Sequence, residues 1–304
     1  MSSNLTDRQQ REREFFDEYC SRYHDHARVV NLAPMEGKER RPWNPYWYVF
    51  EAAKKHYEGG ARKLLDFGCG VGINTVRLAL IGFQVSGFDI SPRCIATAEQ
   101  LAAAHGVSDR THFSVQASEN LEYPNDSFDV VVGIDILHHV EIAPSVNECL
   151  RVLRPGGTAY FREWVEVPAF DCVRNTPPVR FFFPNKKNYL MCITEDERKM
   201  TDRDIAIIGE LCNVVEKRFY VFARLGRLIP RFFCSMEQVD YWLCKKIPAL
   251  NKLGGSVVLE CTDKNKVHPL LRRSRNAPRY SQPCEGAGWT RRLRARLLLT
   301  RGKA

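Results

Sequence analysis

The chain has 304 residues, 44% of them hydrophobic and 27% charged, which is ordinary for a globular protein of one large domain or one domain with an elaboration. No apolar run approaches the ~18–20 residues needed to span a bilayer, and Met1–Arg8 lacks an apolar signal core. The net charge of +9 is misleading: residues 264–304 hold 12 Lys and Arg against one acid, Glu285, so the rest of the chain sums to −2 and argues against a body that grips nucleic acid.

In chain order, Phe15, Phe16, Tyr19, Tyr23, Ala27 and Val30 recur at three- and four-residue steps, predicting an amphipathic helix within 7–30. It is either packed on the domain or a lid over a ligand, with Tyr19 and Tyr23 as the lid residues. Pro34 to Pro45 reads as a loop. Arg41–Tyr48 is dense in aromatics, which either wall a cleft or anchor a helix over 46–58; the anchor is the preferred reading.

Lys63–Thr75 is the stretch around which the rest of the chain is organised. Leu64, Leu65 and Phe67 form a short buried strand, Gly68, Gly70 and Gly72 a turn, and a helix begins near Asn74. Glycines without Cβ atoms allow close approach of a ligand, and the turn's N–H groups and the helix's positive end are expected to face it. Alone this pattern also fits dinucleotide sites and plain tight turns. A second strand, Phe83–Ile90, ends in Asp89, about 20 residues on, where a carboxylate takes a ribose diol. Strands near 63–67, 84–88, 111–115, 128–134 and 157–163 alternate with helices near 73–81, 92–105 and 143–153, which implies a parallel sheet with helices on both faces.

Two later stretches, Ser127–Val140 and Leu150–Thr158 (with Leu153-Arg154-Pro155-Gly156-Gly157), complete a pattern that over residues ~60–165 resembles the class I S-adenosylmethionine (SAM)-dependent methyltransferases, in the superfamily that includes the ubiquinone/menaquinone enzymes. The resemblance implies an α/β fold: a Rossmann-like, doubly wound, mostly parallel seven-stranded sheet. Val214–Val221 and Ser256–Cys261 would form its antiparallel final hairpin, with helical insertions at 164–200 and 223–252. Residues 1–59 would be a helical cap, 60–263 the SAM-binding domain and 264–304 a basic, disordered tail.

By position, the resemblance places Asp66, Gly68, Gly70 and Gly72 around the cofactor's methionine, Asp89 on the ribose and Ile90 on the adenine. The Gly133 carbonyl would meet the amino group. Ala117 stands where the family often has Asp, so the adenine amino contact passes to the Ser118 hydroxyl or to backbone. His138 and His139 follow the fourth strand: His138 is the preferred general base for an oxygen acceptor and His139 a packed structural residue. Glu163 and Trp164 either face the acceptor or belong to a turn. No [DN]-P-P-[YFW] follows strand four, which lowers a base-modifying reading.

The apolar 223–252 stretch, interleaved with Arg224, Arg227, Arg231, Lys245 and Lys246, reads as a cover for the core or as a surface for peripheral membrane contact, a role the basic tail shares. Eleven cysteines, none in C-x-x-C spacing, favour free thiols over disulfides or a metal site, and cytosol as the location. The expected activity is methyl transfer from SAM to a small or lipid-like acceptor at oxygen or carbon. Two alternatives stand beside it: an RNA or protein methyltransferase guided by the basic tail, and a SAM-binding protein without catalysis.

Overall fold

The computed structural model describes residues 5–22, 30–167, 198–221 and 233–264. Contacts divide the chain into Met1–Val267 and His268–Ala304, and every described residue lies in the first unit. The tail, Tyr23 and most of the 164–200 insertion therefore fall outside the described residues.

Seven strands form one sheet: β1 (Lys63–Phe67), β2 (Gln84–Asp89), β3 (Thr111–Val115), β4 (Phe128–Ile134), β5 (Leu153–Trp164), β6 (Cys212–Phe219) and β7 (Ser256–Lys264), in the order β3-β2-β1-β4-β5-β7-β6. The pairs from β3 to β5 are parallel; β7 runs antiparallel to both β5 and β6. This is the expected mostly parallel seven-stranded sheet with an antiparallel final hairpin. Strand order reverses between β1 and β4, and in open α/β sheets the crevice at that reversal, outside the carboxyl ends, is where ligands sit.

Both faces of the sheet are covered, so its strands are apolar on both sides. Successive residues alternate between two cores. Leu65, Phe67, Val131 and Phe161 join α5 (Ile142–Val152) and α6 (Asp202–Leu211). Leu64, Val130 and Val132 join α2 (Pro45–Glu58), α3 (Ile73–Ile81) and α4 (Pro92–Ala104) on the other face.

Caps fix where the helices begin. The Asn44 side chain accepts from the N–H groups of Tyr46 and Trp47, with Pro45 in the first turn of α2. Ser91 caps α4 through the Cys94 N–H at 3.0 Å. Gly72 caps α3 at φ +83°, where an added Cβ would lie 2.6 Å from the Ala98 Cβ, so this glycine serves the packing of α3 on α4.

The N-terminal helix expected within 7–30 is described as α1 over Asp7–Arg22, and residues 23–29 lie outside the described set. Helix α6, with its Thr201–Asp204 capping box, is an element the sequence reading missed. Within 223–252 the structure describes α7 (Phe233–Lys246) and a short 3-10 helix. Helix α7 buries Glu237, Asp240 and Cys244 and packs Tyr241 against the core, while Val239 and Trp242 are exposed. No described helix is long and apolar enough to cross a membrane.

Candidate active site

Loops from four adjacent parallel strands meet at their carboxyl ends: Gly68–Gly72 after β1, Asp89–Ser91 at β2, Gln116–Glu119 after β3 and Asp135–Val140 after β4. With α1 and the starts of α2 and α3 they enclose a cavity of about 590 Å³.

Asp89 ties two of these loops together. Its Oδ2 accepts the Gly70 N–H at 3.0 Å and its Oδ1 the Ser91 N–H at 2.9 Å. Burial pushes its pKa up, opposed by those two bonds and by the nearby His139. The loop's other amides are engaged too: Cys69 N–H donates to the Phe88 carbonyl at 2.8 Å and Gly72 N–H to the Cys69 carbonyl at 3.0 Å. The expectation that the turn's N–H groups as a set face a ligand is thus corrected; three of them hold the loop's own shape. At Gly70, φ +50°, a Cβ would meet nothing within 4 Å, which leaves open space over the loop.

Beneath the loop lies Asp66. Its Oδ2 accepts the Thr75 hydroxyl at 2.5 Å, while its buried Oδ1 has no hydrogen-bond partner. Burial pushes this carboxyl up to about 7, against the Thr75 bond and with help from the Asp89 charge.

At the β4 end the chain turns through Asp135, at φ +56°, a conformation that short acidic side chains tolerate better than most. Arg162 on β5 pairs with its carboxylate and lies 4.3 Å from the Trp164 ring centre. The fully buried Glu163 organises the next residues. Its Oε1 accepts the N–H groups of Ile136 and Leu137 at 2.8 and 2.6 Å, and its Oε2 lies 2.6 Å from His138 Nδ1.

Helix α1 forms the roof. Arg8 donates to the His139 carbonyl, Gln9 Nε2 to Glu119 Oε2 at 2.9 Å, and Glu12 Oε2 sits 3.3 Å from His139 Nδ1. Phe16 packs edge-on against the His139 ring at 5.3 Å. Asp17 Oδ1 accepts the Ser91 hydroxyl at 2.6 Å. Cys20 is disulfide-bonded to Cys94 on α4, with Cα atoms 5.6 Å apart. This corrects the expectation of free thiols alone: residues 74 apart in sequence meet because α1 crosses the start of α4. Cys69, Cys212, Cys244 and Cys261 are free thiols and buried.

Of the residues the sequence singled out, Gly68, Gly70, Asp89, Ile90, Ser118 and His139 line the cavity. Asp66, Gly72, Gly133 and His138 do not. Gly133 instead makes room for Phe161, whose Cδ1 would lie 2.6 Å from an added Cβ. The Ser118 hydroxyl is shared with Ser145 at 2.9 Å and Glu119 at 3.1 Å. Of the two histidines, His138 is drawn toward β5 by Glu163, while His139 lines the cavity and meets the roof. Tyr19 lines the cavity, as do Tyr46 and Trp47, so the aromatic start of α2 is wall as well as anchor. Sequence reasoning missed Glu12, Phe16, Asn74, Arg77 and Asp135; only the spacing of Phe16 with Tyr19 carried a signal.

Residues 65–161 match the family described as methyltransferase domain. The chain is 36% identical over 109 residues to 27-O-demethylrifamycin SV methyltransferase of Amycolatopsis mediterranei, covering 35% of this chain and 40% of that one. Over 107 residues it is 35% identical to the ubiquinone biosynthesis O-methyltransferase of Methylococcus capsulatus, covering 35% and 45%. Among solved structures, the [4+2]-cyclase SpnF superposes with a TM-score of 0.50 at 18% identity, over 86% of this chain and 97% of that one, a likeness of fold alone. Fold, glycine loop and matched segment together define a class I SAM-dependent methyltransferase domain. The chain spans less than half the length of these curated relatives, so the match concerns that domain.

Proposed function

We propose that this chain transfers a methyl group from SAM to a small or lipid-like acceptor at oxygen or carbon. The observation that carries the reading is the cavity along the carboxyl ends of β3, β2, β1 and β4. Three features fit SAM: the open space over Gly70, the Asp89 carboxylate in the wall, and the partnerless buried Oδ1 of Asp66 beneath the loop. Asp89 would take the ribose diol, Ile90 and Ser118 the adenine, and Gly68 and Gly70 the methionine. When bound, SAM supplies an activated methyl on a positive sulfur, so the protein mainly has to hold the donor and place the nucleophile.

For an oxygen acceptor, His138 is the proposed base. Glu163 holds its Nδ1 at 2.6 Å, and its ring centre lies 4.2 Å from that of the cavity-lining His139, which puts His138 directly behind the cavity wall. His139, on the floor loop after β4, is clasped by Glu12, Phe16 and Arg8 of the roof. His138→Ala is expected to lower turnover by roughly 100-fold with SAM affinity unchanged; unchanged turnover removes His138 from the chemistry. The exposed Val239 and Trp242 beside Lys245 and Lys246 favour an acceptor met at a lipid surface.

The test uses methyl-labelled SAM, purified protein and an extract of its own cells, with label partitioned among organic-soluble, aqueous small-molecule, RNA and protein fractions. Label in the organic or small-molecule fractions supports the proposal. Label in RNA or protein replaces it with an enzyme guided by its basic tail, and SAM binding without any label points to a partner protein.

A further inference from the structure

A second cleft, of about 320 Å³, opens on the α2 side of the sheet, between α2 and strands β5, β7 and β6. It shares no lining residue with the cofactor cavity. Over β4 and β7 this face of the sheet offers α2 apolar side chains, Val130, Val132 and Val258. At the cleft it turns polar. Tyr160 of β5 stands opposite Glu260 of β7, and Lys217 reaches Glu260 from β6 at 2.6 Å.

Polar groups beneath a helix need partners, and the acids of the cleft have theirs within the protein. Glu260 Oε1 accepts the Tyr48 hydroxyl at 2.6 Å as well as the Lys217 ammonium. Arg40 holds Glu51 through two bonds, at 2.9 and 2.7 Å. Donors are left over. Lys217 has one N–H beyond those given to Glu260 and Tyr48. Lys55, exposed and one turn after Glu51, has no side-chain partner among the described residues. His56 Nε2 lies 2.9 Å from the Tyr160 hydroxyl, and burial lowers the His56 pKa, so this ring adds no charge at neutral pH. With Lys217 set against Glu260 and Arg40 against Glu51, one positive charge remains, on Lys55.

A fitting ligand brings one negative charge and an oxygen for each of the two ammonium groups. A carboxylate has both. At the ~30 Å³ that a water occupies, the cleft holds roughly ten non-hydrogen atoms. Ala52 and the rings of Tyr48 and His56 are there to meet the organic part.

We propose that this cleft binds the carboxylate of a small organic acid between Lys55 of α2 and Lys217 of β6. The site stands apart from the SAM reading.

The experiment is calorimetric titration of the full chain with benzoate, with uncharged benzyl alcohol and with inorganic phosphate, while NMR follows the His56 ring C–H. Benzoate is expected to bind with a Kd of roughly 1 mM and to shift the His56 resonance, and benzyl alcohol to bind at least about tenfold more weakly. Lys55→Gln is expected to weaken benzoate by about tenfold or more, and Lys55→Arg to stay within about threefold of wild type. Lys217→Gln should weaken it likewise, with cooperative urea unfolding showing that the variant is folded. Saturating S-adenosylhomocysteine should leave the benzoate-induced His56 shift in place. If that ligand abolishes benzoate binding, the acid sits in the cofactor cavity and the assignment is overturned. Equal benzoate affinity in wild type and Lys55→Gln, equal affinity for benzyl alcohol, tighter binding of phosphate than of benzoate, or no binding of benzoate at all overturns it too.

Discussion

The floor and the roof of the cavity are built by different physics. The floor is made of strand ends, and backbone groups position it: Asp89 on Gly70 and Ser91, Cys69 on Phe88, Glu163 on Ile136 and Leu137. These groups are fixed once the parallel ladder forms. The roof is one helix attached by side chains and a single covalent link: Arg8, Gln9, Glu12, Phe16 and Asp17 reach down to the floor loops, and Cys20 closes the far end. A floor of this kind is expected to set whether the cofactor binds, and a roof of this kind how readily it comes and goes.

Removing a floor group is expected to give the largest effect. Asp89→Ala takes the acceptor from two backbone N–H groups and from the proposed ribose contact. Calorimetry is expected to show SAM binding weakened by at least about 100-fold, and urea unfolding a loss of about 1–3 kcal/mol. Binding retained within about tenfold would mean that the ribose sits elsewhere and that the contrast between floor and roof is wrongly drawn.

The second test sharpens the account of the floor through pH. Burial raises Asp66 from 3.8 to about 7 in the folded protein. The folded state therefore binds more protons than the unfolded one between pH ~4 and ~7, so this group's stabilising contribution, complete below the unfolded pKa, is lost as pH rises through about 7. A bound cationic cofactor favours the carboxylate and draws the pKa down. SAM affinity is then expected to rise with pH, by up to about tenfold per unit below pH 7, and to level off above it. Titrations from pH 5.5 to 8.5 check this, and Asp66→Asn should flatten the dependence. A steep dependence persisting in that variant would assign it to Asp89, whose pKa burial also raises.

The same contrast decides what was legible in the sequence. Gly68-Cys69-Gly70-Val71-Gly72 and Asp89 could be read because their roles follow from local backbone geometry: a strand, a turn with positive φ, a helix start, and an acid at the next strand's end. The sheet and its final hairpin followed from alternation and from resemblance. What failed to show was set by packing between distant segments. Cys20 meets Cys94, and Arg77 meets Tyr46, only because α1 crosses α4 and α2 lies beside α3. His138 and His139 are neighbours in sequence, yet a buried Glu163 on one side and Glu12 with Phe16 on the other give their rings different partners. No local pattern encodes that division.

The smallest effect on binding is expected at the roof, and it is the sharpest test of the contrast. Replacing both Cys20 and Cys94 by Ser removes the covalent link between α1 and α4. Closing a loop of this length constrains the unfolded chain, so non-reducing urea unfolding is expected to show a loss of about 2–4 kcal/mol. Because the floor is untouched, SAM affinity should fall only about two- to fivefold, nearly all of it as faster dissociation, since related changes in affinity act mostly on the off-rate. Stopped-flow displacement measures this directly. Wild type treated with a dithiol, which is oxidised as the two cysteines take up its electrons and protons, should match the variant. A hundredfold loss of affinity in the Ser/Ser protein would place α1 among the groups that create the site. No change in dissociation would mean that Glu12, Phe16 and Asp17 hold the roof without the disulfide.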